Sequence, residues 1–315
     1  MNEPIDHHYV PVFYLSRWEG SDGRICRYSH PYGNEVKPKR VSPKGTGFEP
    51  RLYETRGLPH EHAQTVEKNF MQKLDDDAAK ALALLESKGW AGAAMNGWSR
   101  FLVAQMLRTP RDIAQIKSSV GQEWNKEAQS LRESYAARRS PNDPATLAEY
   151  MAQRNPAYED EFALSIACML MEHTKICDFI NAMRWCVLDI PQGCYSLLTS
   201  DNPVWMTTTL TEDDAFLMMP VGPRRLFVAT ARPEIQRRLQ ARKMSELVKA
   251  TNKITVQHAE KFVYGLTDDM LPFVQKHMST KRHSTLLERL AAHRGHEIVA
   301  TDSPLIAPQE TSKTA

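Results

Sequence analysis

The sequence has no long apolar run, no paired-cysteine motif and almost no net charge. Its five cysteines are odd in number and never spaced Cys-x-x-Cys, which argues against a disulfide framework or a zinc knuckle. No apolar stretch approaches the roughly 20 residues of a membrane span, and the first residues show no basic segment followed by an apolar run. These absences predict a cytoplasmic protein with no membrane partner.

The charge balance gives no sign of a polyanionic partner. Forty basic and 38 acidic side chains leave a formal net charge of +2, so a nucleic acid would have to bind a local patch. Two basic patches exist, and we interpret both as solvated surface, the usual place for Lys and Arg. They are Lys37, Lys39, Arg40 and Lys44 in one loop, and Arg224, Arg225, Arg232, Arg237, Arg238, Arg242 and Lys243 further on.

Common catalytic loops are also missing. The chain has no Gly-x-Ser-x-Gly elbow, no glycine-rich phosphate loop and no dinucleotide fingerprint. None of the cysteines has an obvious histidine partner in sequence. Nucleophilic catalysis is therefore disfavoured relative to the two functions considered below.

What is present is typical of a globular protein with a substantial core, since 42% of 315 residues are hydrophobic and 25% charged. Short apolar runs alternate with Gly and Pro over 8–58, which predicts a β-hairpin followed by a basic, Pro-rich loop. Helical periodicity then dominates to residue 182, and strand periodicity follows it. We predict an α+β fold with an N-terminal β-hairpin, a central helical bundle, an antiparallel sheet of about four to five strands and C-terminal helices.

Element boundaries follow from periodicity and from Gly and Pro breaks. The hairpin should use 9–15 and 24–28, and strands at 184–190, 195–199, 215–220 and 225–230 should form one antiparallel sheet, with a short strand at 261–266. Helices are predicted at 61–88 with Gly89 as the stop, from Asn96 to Thr109-Pro110, and at 112–138, 157–182, 233–260, 270–279 and 284–294. We interpret 1–297 as one domain with 112–156 as a candidate helical insertion, and 298–315 as a disordered tail.

Polar residues at positions where periodicity requires apolar ones indicate where a site would lie, because an unpaired buried polar group costs about 1 to 3 kcal/mol. Glu67 shares a helical face with apolar residues four, seven and eleven positions later. Gln105 and Arg108 lie on the apolar stripe of the next helix. A guanidinium sent toward the core needs a carboxylate, and Glu67 and Asp201 are the two candidates.

Two further segments contribute candidate residues. In the extended segment 6–15, adjacent histidines point to opposite faces, and parity with Val10 and Val12 makes His8 the inward one. Asp201 and Asn202 follow a strand, where a catalytic carboxylate or a satisfied Asx-turn would each explain them. A core histidine bonded to backbone is the corresponding structural explanation for His8.

These segments resemble a known family. His8-Tyr9-Val10-Pro11, Gln105 to Pro110 and Thr199 to Pro203 are similar to motifs of the mainly bacterial DUF 4238 family of unknown function, over roughly 7–265. One departure is Asp75, where the family pattern leads us to expect a second helical Glu. The resemblance supports the fold and the choice of segments, and it names no substrate.

Two functions are compatible with these residues. In the first, His8, Glu67 and Asp201 hold a divalent metal (Mg or Mn) or act as acid and base, while Gln105, Arg108 and Asn202 bind the substrate, a small anionic phosphoester or a nucleic acid. A nuclease variant is suggested by a superficial similarity of 6–11 to the Asp-His-x-x-Pro of HNH nucleases, whose later ligands are not at the expected spacing. In the second, the chain is a non-catalytic regulator or binding module in a phage-defence or toxin-like context, and the polar network is structural. No oligomeric state is indicated.

Overall fold

The computed structural model describes residues 5–86, 92–155, 157–207, 210, 212–278 and 284–288. Helices and antiparallel strands both occur, which confirms the α+β class. The strands are β1 (Asp6–His8), β2 (Ile25–Tyr32), β3 (Glu35–Val41), β4 (Phe48–Pro50), β5 (Arg184–Asp189), β6 (Thr199–Ser200), β7 (Trp205–Met206), β8 (Phe216–Gly222), β9 (Arg225–Thr230) and β10 (Val263–Gly265).

The helices begin and end as follows: α1 (Val12–Leu15), α2 (His60–Ala63), α3 (Gln72–Glu86), α4 (Ala93–Leu107), α5 (Pro110–Arg138), α6 (Leu147–Arg154), α7 (Tyr158–Met171), α8 (Thr174–Ala182), α9 (Pro233–Ala241), α10 (Met244–His258) and α11 (Leu271–His277). A π-helical turn, Val66–Met71, leads directly into α3. Among the described helices, none has the length and apolar character required to cross a membrane.

The first four-stranded sheet joins distant parts of the chain. Its strand order is β3-β2-β10-β6, and all of its pairs are antiparallel. The β2–β3 hairpin turns at Gly33, whose φ of +58° is a conformation that glycine adopts without strain. Because β10 pairs with both β2 and β6, the hairpin is fixed to the segment that ends in Asp201.

The second four-stranded sheet is buried on both faces. Its order is β5-β9-β8-β7, again antiparallel, and every residue of β8 is buried. Leu217 and Phe227 point into the core shared with the central helices, whereas Met218 and Val228 pack against α9 and α10. This explains why β8 is continuously apolar instead of alternating.

Helix α4 lies between α3 and this sheet. A Cβ atom added at Gly97 would lie 3.2 Å from the carbonyl oxygen of Asp77, so the two helix backbones pack closely there. On the sheet side, the rings of Trp98 and Phe227 meet with their centroids 5.7 Å apart. The end of α4, where Arg108 follows, is thereby held in the middle of the protein.

The predicted pairing of the N-terminal hairpin was wrong. Residues 12–15 form α1 and not a strand, because the chain turns at Pro11 and then buries Tyr14 and Leu15 on one side of a helical turn. The hairpin partner of β2 is β3, which contains most of the residues that we had placed in a basic loop.

Two other boundaries also differ from the prediction. Residues 195–199 do not pair with β5; the Leu197 amide donates to the Pro223 carbonyl and the Leu198 amide to the Asn252 side chain, and β7 takes the edge position. The helices predicted at 157–182 and 233–260 are each divided, at 172–173 and 242–243. Gly89, residues 289–294 and the tail 298–315 lie outside the described residues.

Candidate functional site

Arg108 is the centre of the buried polar network. Its side chain has no exposed surface, its Nε donates to the Tyr9 carbonyl at 2.8 Å, and its Nη1 donates to Asp75 Oδ1 at 2.8 Å. The Tyr53 hydroxyl donates to the Arg108 carbonyl at 3.0 Å. A single residue thus connects the N-terminal segment, the loop before α2, helix α3 and the end of α4.

The carboxylate that pairs with Arg108 is Asp75, so the choice between Glu67 and Asp201 was wrong. Glu67 lies in the π-helical turn and is buried on one face with Met71, Leu74 and Ala78, as its spacing predicted. Asp75 lies beside that face and is partly exposed, so periodicity did not mark it as an inward acid. Asp75, on the first turn of α3, is the residue brought against the guanidinium.

Glu67 and Gln105 are both buried, as predicted, and Glu67 lies close enough to this pair to feel its charges. Burial raises the pKa of Glu67 to about 7, the nearby Asp75 adds to the rise and Arg108 opposes it. Glu67 Oε2, both amide atoms of Gln105 and Arg108 Nη2 have no hydrogen-bond partner within the described part of the chain. The network therefore keeps unused hydrogen-bonding capacity in a region screened from bulk water.

His7, and not His8, is the inward histidine. His7 is fully buried, its Nδ1 accepts from the Tyr53 amide at 2.9 Å, and its Nε2 lies 2.5 Å from Gln64 Oε1. Because Nδ1 accepts, the proton must be on Nε2, which donates to the Gln64 oxygen. The parity count failed because β1 ends at His8, and the next two amides both donate to the Gly47 carbonyl.

His8 is half-buried at the edge of this region. Its Nε2 lies 3.3 Å from the Lys44 carbonyl, and its ring meets Phe48 edge-on. Burial lowers the pKa of His8, an effect that the Lys44 carbonyl and Asp6 partly offset. The imidazole is therefore neutral at pH 7.

Asp201 holds backbone instead of facing a substrate. Its Oδ1 accepts from the Glu260 amide at 2.8 Å, and its Oδ2 accepts from the amides of Lys261 and Phe262 at 2.6 and 2.9 Å. Burial raises the pKa of Asp201 to about 6 despite these three bonds, which act in the opposite direction. Both oxygens are committed to the connection between α10 and β10.

The predicted metal ligands do not fit a metal site in this arrangement. His8, Glu67 and Asp201 all lie in the described part of the chain, where no group of three or more His, Cys, Asp or Glu side chains is placed to hold a metal ion. The oxygens of Asp201 already accept from amides, and His8 lies against a carbonyl. These donors supply no open coordination shell for Mg or Mn.

A pocket of about 190 Å³ lies where α5 begins. It brings together two segments that the sequence had singled out, the end of α4 and the residues after Asp201, with the end of α10. Asn202 is the predicted site residue that lines it. The described lining residues are Met106, Asp112, Asn202, Val204, Trp205, Met206, His258, Ser284, Thr285 and Leu286.

Asp112 is the buried acid of this pocket, and the sequence reasoning missed it. Thr109 caps α5: its hydroxyl donates to Asp112 Oδ2 at 2.6 Å and accepts from the Asp112 amide at 3.2 Å. Burial raises the pKa of Asp112, against the hydrogen bonds of Thr109 and Thr285. Its Oδ1 has no partner among the described residues. The signal available in the sequence was Thr109-Pro110-Arg111-Asp112, the pattern of a capped helix start.

The family model for "Protein of unknown function (DUF4238)" matches residues 6–269. The chain belongs to the DUF4238 family. The match confirms the resemblance drawn from the three motifs and contains the whole Arg108 network. No curated protein and no solved structure matches the chain.

The DUF4238 match ends before the last lining residues of the pocket. Residues 284–286 lie beyond position 269, yet they close one side of a cavity whose other described lining residues belong to the matched region. The Thr285 hydroxyl also caps the helical turn that follows, by accepting from the Glu288 amide at 3.2 Å. The C-terminal segment is therefore part of the pocket.

Proposed function

We propose that this chain is a non-catalytic binding module in which the Arg108 network is structural. The observation that carries the proposal is that Arg108 is fully buried and joins Tyr9, Asp75 and Tyr53, which come from three separate segments. Buried ion pairs of this kind fix the relative positions of backbone elements without performing chemistry.

Asp201, a predicted catalytic residue, and His7, the inward histidine, support the same proposal. Both carboxylate oxygens of Asp201 accept hydrogen bonds from backbone amides, three in all. Both ring nitrogens of His7 are hydrogen-bonded, one to Tyr53 and one to Gln64. A general base must reach the proton that it removes, and a metal ligand needs a free lone pair. Side chains engaged in this way hold the fold together.

A phosphoester hydrolase is the second candidate, and Glu67 is the observation in its favour. Its pKa of about 7 lies where a general acid or base works best at neutral pH. The unpartnered Arg108 Nη2 and Gln105 amide of the described network would bind the anionic group of a substrate. This candidate requires that the network open to solvent.

The two functions are separated by a turnover assay. Purified protein is incubated with bis(p-nitrophenyl) phosphate and with a DNA oligonucleotide, with and without Mg or Mn, beside Glu67→Gln and a matched surface control, Glu172→Gln. The binding module predicts no turnover that depends on Glu67. Turnover that is lost in Glu67→Gln and kept in Glu172→Gln would establish the hydrolase instead.

A cytoplasmic location belongs to the same proposal. It is supported by the five cysteines, all of which are free thiols. Thiols stay reduced in the cytosol, whereas secreted proteins usually pair them.

A further inference from the structure

The pocket at the start of α5 has a chemistry different from the anion-binding site that the sequence predicted. Of the ten described residues that line it, one carries a carboxylate and none is Lys or Arg. The neighbouring Arg111 is engaged by both oxygens of Glu288, so its charge is already neutralised. Within this described lining, a phosphate or carboxylate would meet the like charge of Asp112.

Asp112 supplies the specific polar contact. The residue is 1% exposed; Thr109 donates to its Oδ2 and Thr285 also interacts with the carboxylate, while Oδ1 has no partner among the described residues. A buried acceptor without a donor is costly, and an N–H group of a ligand would satisfy it. An ionised carboxylate makes its strongest bonds with charged donors, so a protonated amine fits best.

Half of the described lining is apolar and suits a compact apolar body on that amine. Met106, Val204, Met206 and Leu286 line the cavity with Trp205, whose ring face attracts cations, and the other described lining residues are polar. Because a cavity of roughly 150 Å³ binds benzene, a volume of about 190 Å³ suits a single ring or a short branched chain.

We propose that this pocket binds a small primary amine, with the ammonium group against Asp112 and the apolar body against Trp205 and Met206. The inference rests on the proposed binding module, because it names the class of ligand that such a module would take. Asn202 lines the same pocket, and its amide oxygen supplies a further acceptor for an N–H group of the ammonium.

The test uses benzylamine and isopentylamine as probes, with benzyl alcohol as the neutral isostere and phenyl phosphate as the anion. Binding is measured by calorimetry and by thermal shift at pH 8, where carboxylates are ionised. We expect both amines to raise the Tm by several degrees, and benzylamine to bind at least tenfold more tightly than benzyl alcohol. Phenyl phosphate should not bind.

Variants locate the binding site. Asp112→Asn keeps the acceptor for Thr109 but removes the charge, and it should lower amine affinity at least tenfold. Met206→Trp fills the pocket from a half-buried edge strand without removing a hydrogen bond, and it should abolish binding if Asp112→Asn folds poorly. Asp189→Asn, at an exposed carboxylate paired with Arg225, is the matched control and should bind like the parent.

Three results would overturn the proposal. They are no response to either amine, equal affinity for benzylamine and benzyl alcohol, or amine binding that survives both Asp112→Asn and Met206→Trp. Failure of the proposed function is distinguishable from these, since Glu67-dependent turnover would reject the non-catalytic module without changing amine binding at Asp112.

Discussion

Arg108 and Asp75 form an ion pair at 2.8 Å in which the guanidinium side chain is fully buried while the carboxylate side chain is 21% exposed. The pair lies between the end of helix α4 and the first turn of α3, next to the carbonyl of Tyr9. Its two members come from different helices, and a third segment binds the same guanidinium. Loss of the pair should therefore lower the stability of the whole fold.

Removing one partner of this pair should destabilise the protein strongly. Asp75→Ala leaves a buried guanidinium unpaired, and we expect a loss of about 3 to 5 kcal/mol in the free energy of unfolding, measured with urea. The double variant Arg108→Met with Asp75→Leu should recover much of that loss, because no charge is then left without a partner.

Arg100→Met is the control. It breaks the more exposed pair with Glu172 and should cost less than about 1 kcal/mol in the free energy of unfolding. Equal losses in Asp75→Ala and Arg100→Met would contradict a central role for the Arg108 pair.

Glu67 should make the protein less stable as the pH rises. Burial raises its pKa from 4.5 to about 7, so between these values the folded state holds a proton that the unfolded state has released. Stability from this group is complete below about pH 4.5 and falls until about pH 7, by up to about 3 kcal/mol. Glu67→Gln should therefore be more stable than the parent at pH 8 and similar to it at pH 4, in urea titrations at both pH values.

The exposed control Glu172→Gln keeps Glu67 and should keep the fall in stability with pH that the parent shows. A parent curve that rises with pH through this window, and does so equally in Glu67→Gln, would refute the assignment.

The sequence predicted the fold class and most helices because long periodic segments carry strong signals. The end of α4 at Thr109-Pro110 and the strand 184–190 agree closely with the structure. Strand pairing could not be predicted in the same way, since no local pattern shows that β10 pairs with β2, or that β7 pairs with β8 while residues 195–199 do not pair with β5. These choices depend on contacts between residues far apart in sequence.

The sequence identified most of the buried polar residues of the site, but not which residues pair with one another. Buried polar positions at Glu67, Gln105 and Arg108 were identified correctly from periodicity, and Asp201 from its position after a strand. The partner of Arg108 was missed because Asp75 is partly exposed beside the apolar face of α3, where periodicity does not indicate an inward acid. The inward histidine was missed because β1 ends at His8, so the parity count ran past the end of the strand. Asp112 was not identified as a buried acid because its burial depends on residues 284–286, which come from the far end of the chain.

Asp201 should act through the backbone amides that it binds. In Asp201→Asn the side chain keeps one oxygen acceptor, so at least one of the amides of Glu260, Lys261 and Phe262 loses its partner. We expect a loss of about 1 to 3 kcal/mol, together with faster hydrogen exchange of the amides in this connection. Asp189→Asn, which alters an exposed carboxylate, should leave both quantities unchanged. If exchange at these three amides were the same in Asp201→Asn as in the parent, the carboxylate would not be what holds this turn.

The two adjacent histidines should differ in their effect on stability. His7→Phe leaves the Tyr53 amide and the Gln64 side chain without their buried partner, and we expect it to cost about 2 to 4 kcal/mol. His8→Phe removes one long contact with the Lys44 carbonyl at a half-buried position and should cost less than about 1 kcal/mol. Urea denaturation of both variants gives the comparison. Proton–nitrogen NMR spectra of the parent should in addition show the His7 ring neutral with its proton on Nε2, because Nδ1 accepts from a backbone amide. A proton on Nδ1, or a larger loss in His8→Phe than in His7→Phe, would mean that the imidazole facing the core is not His7.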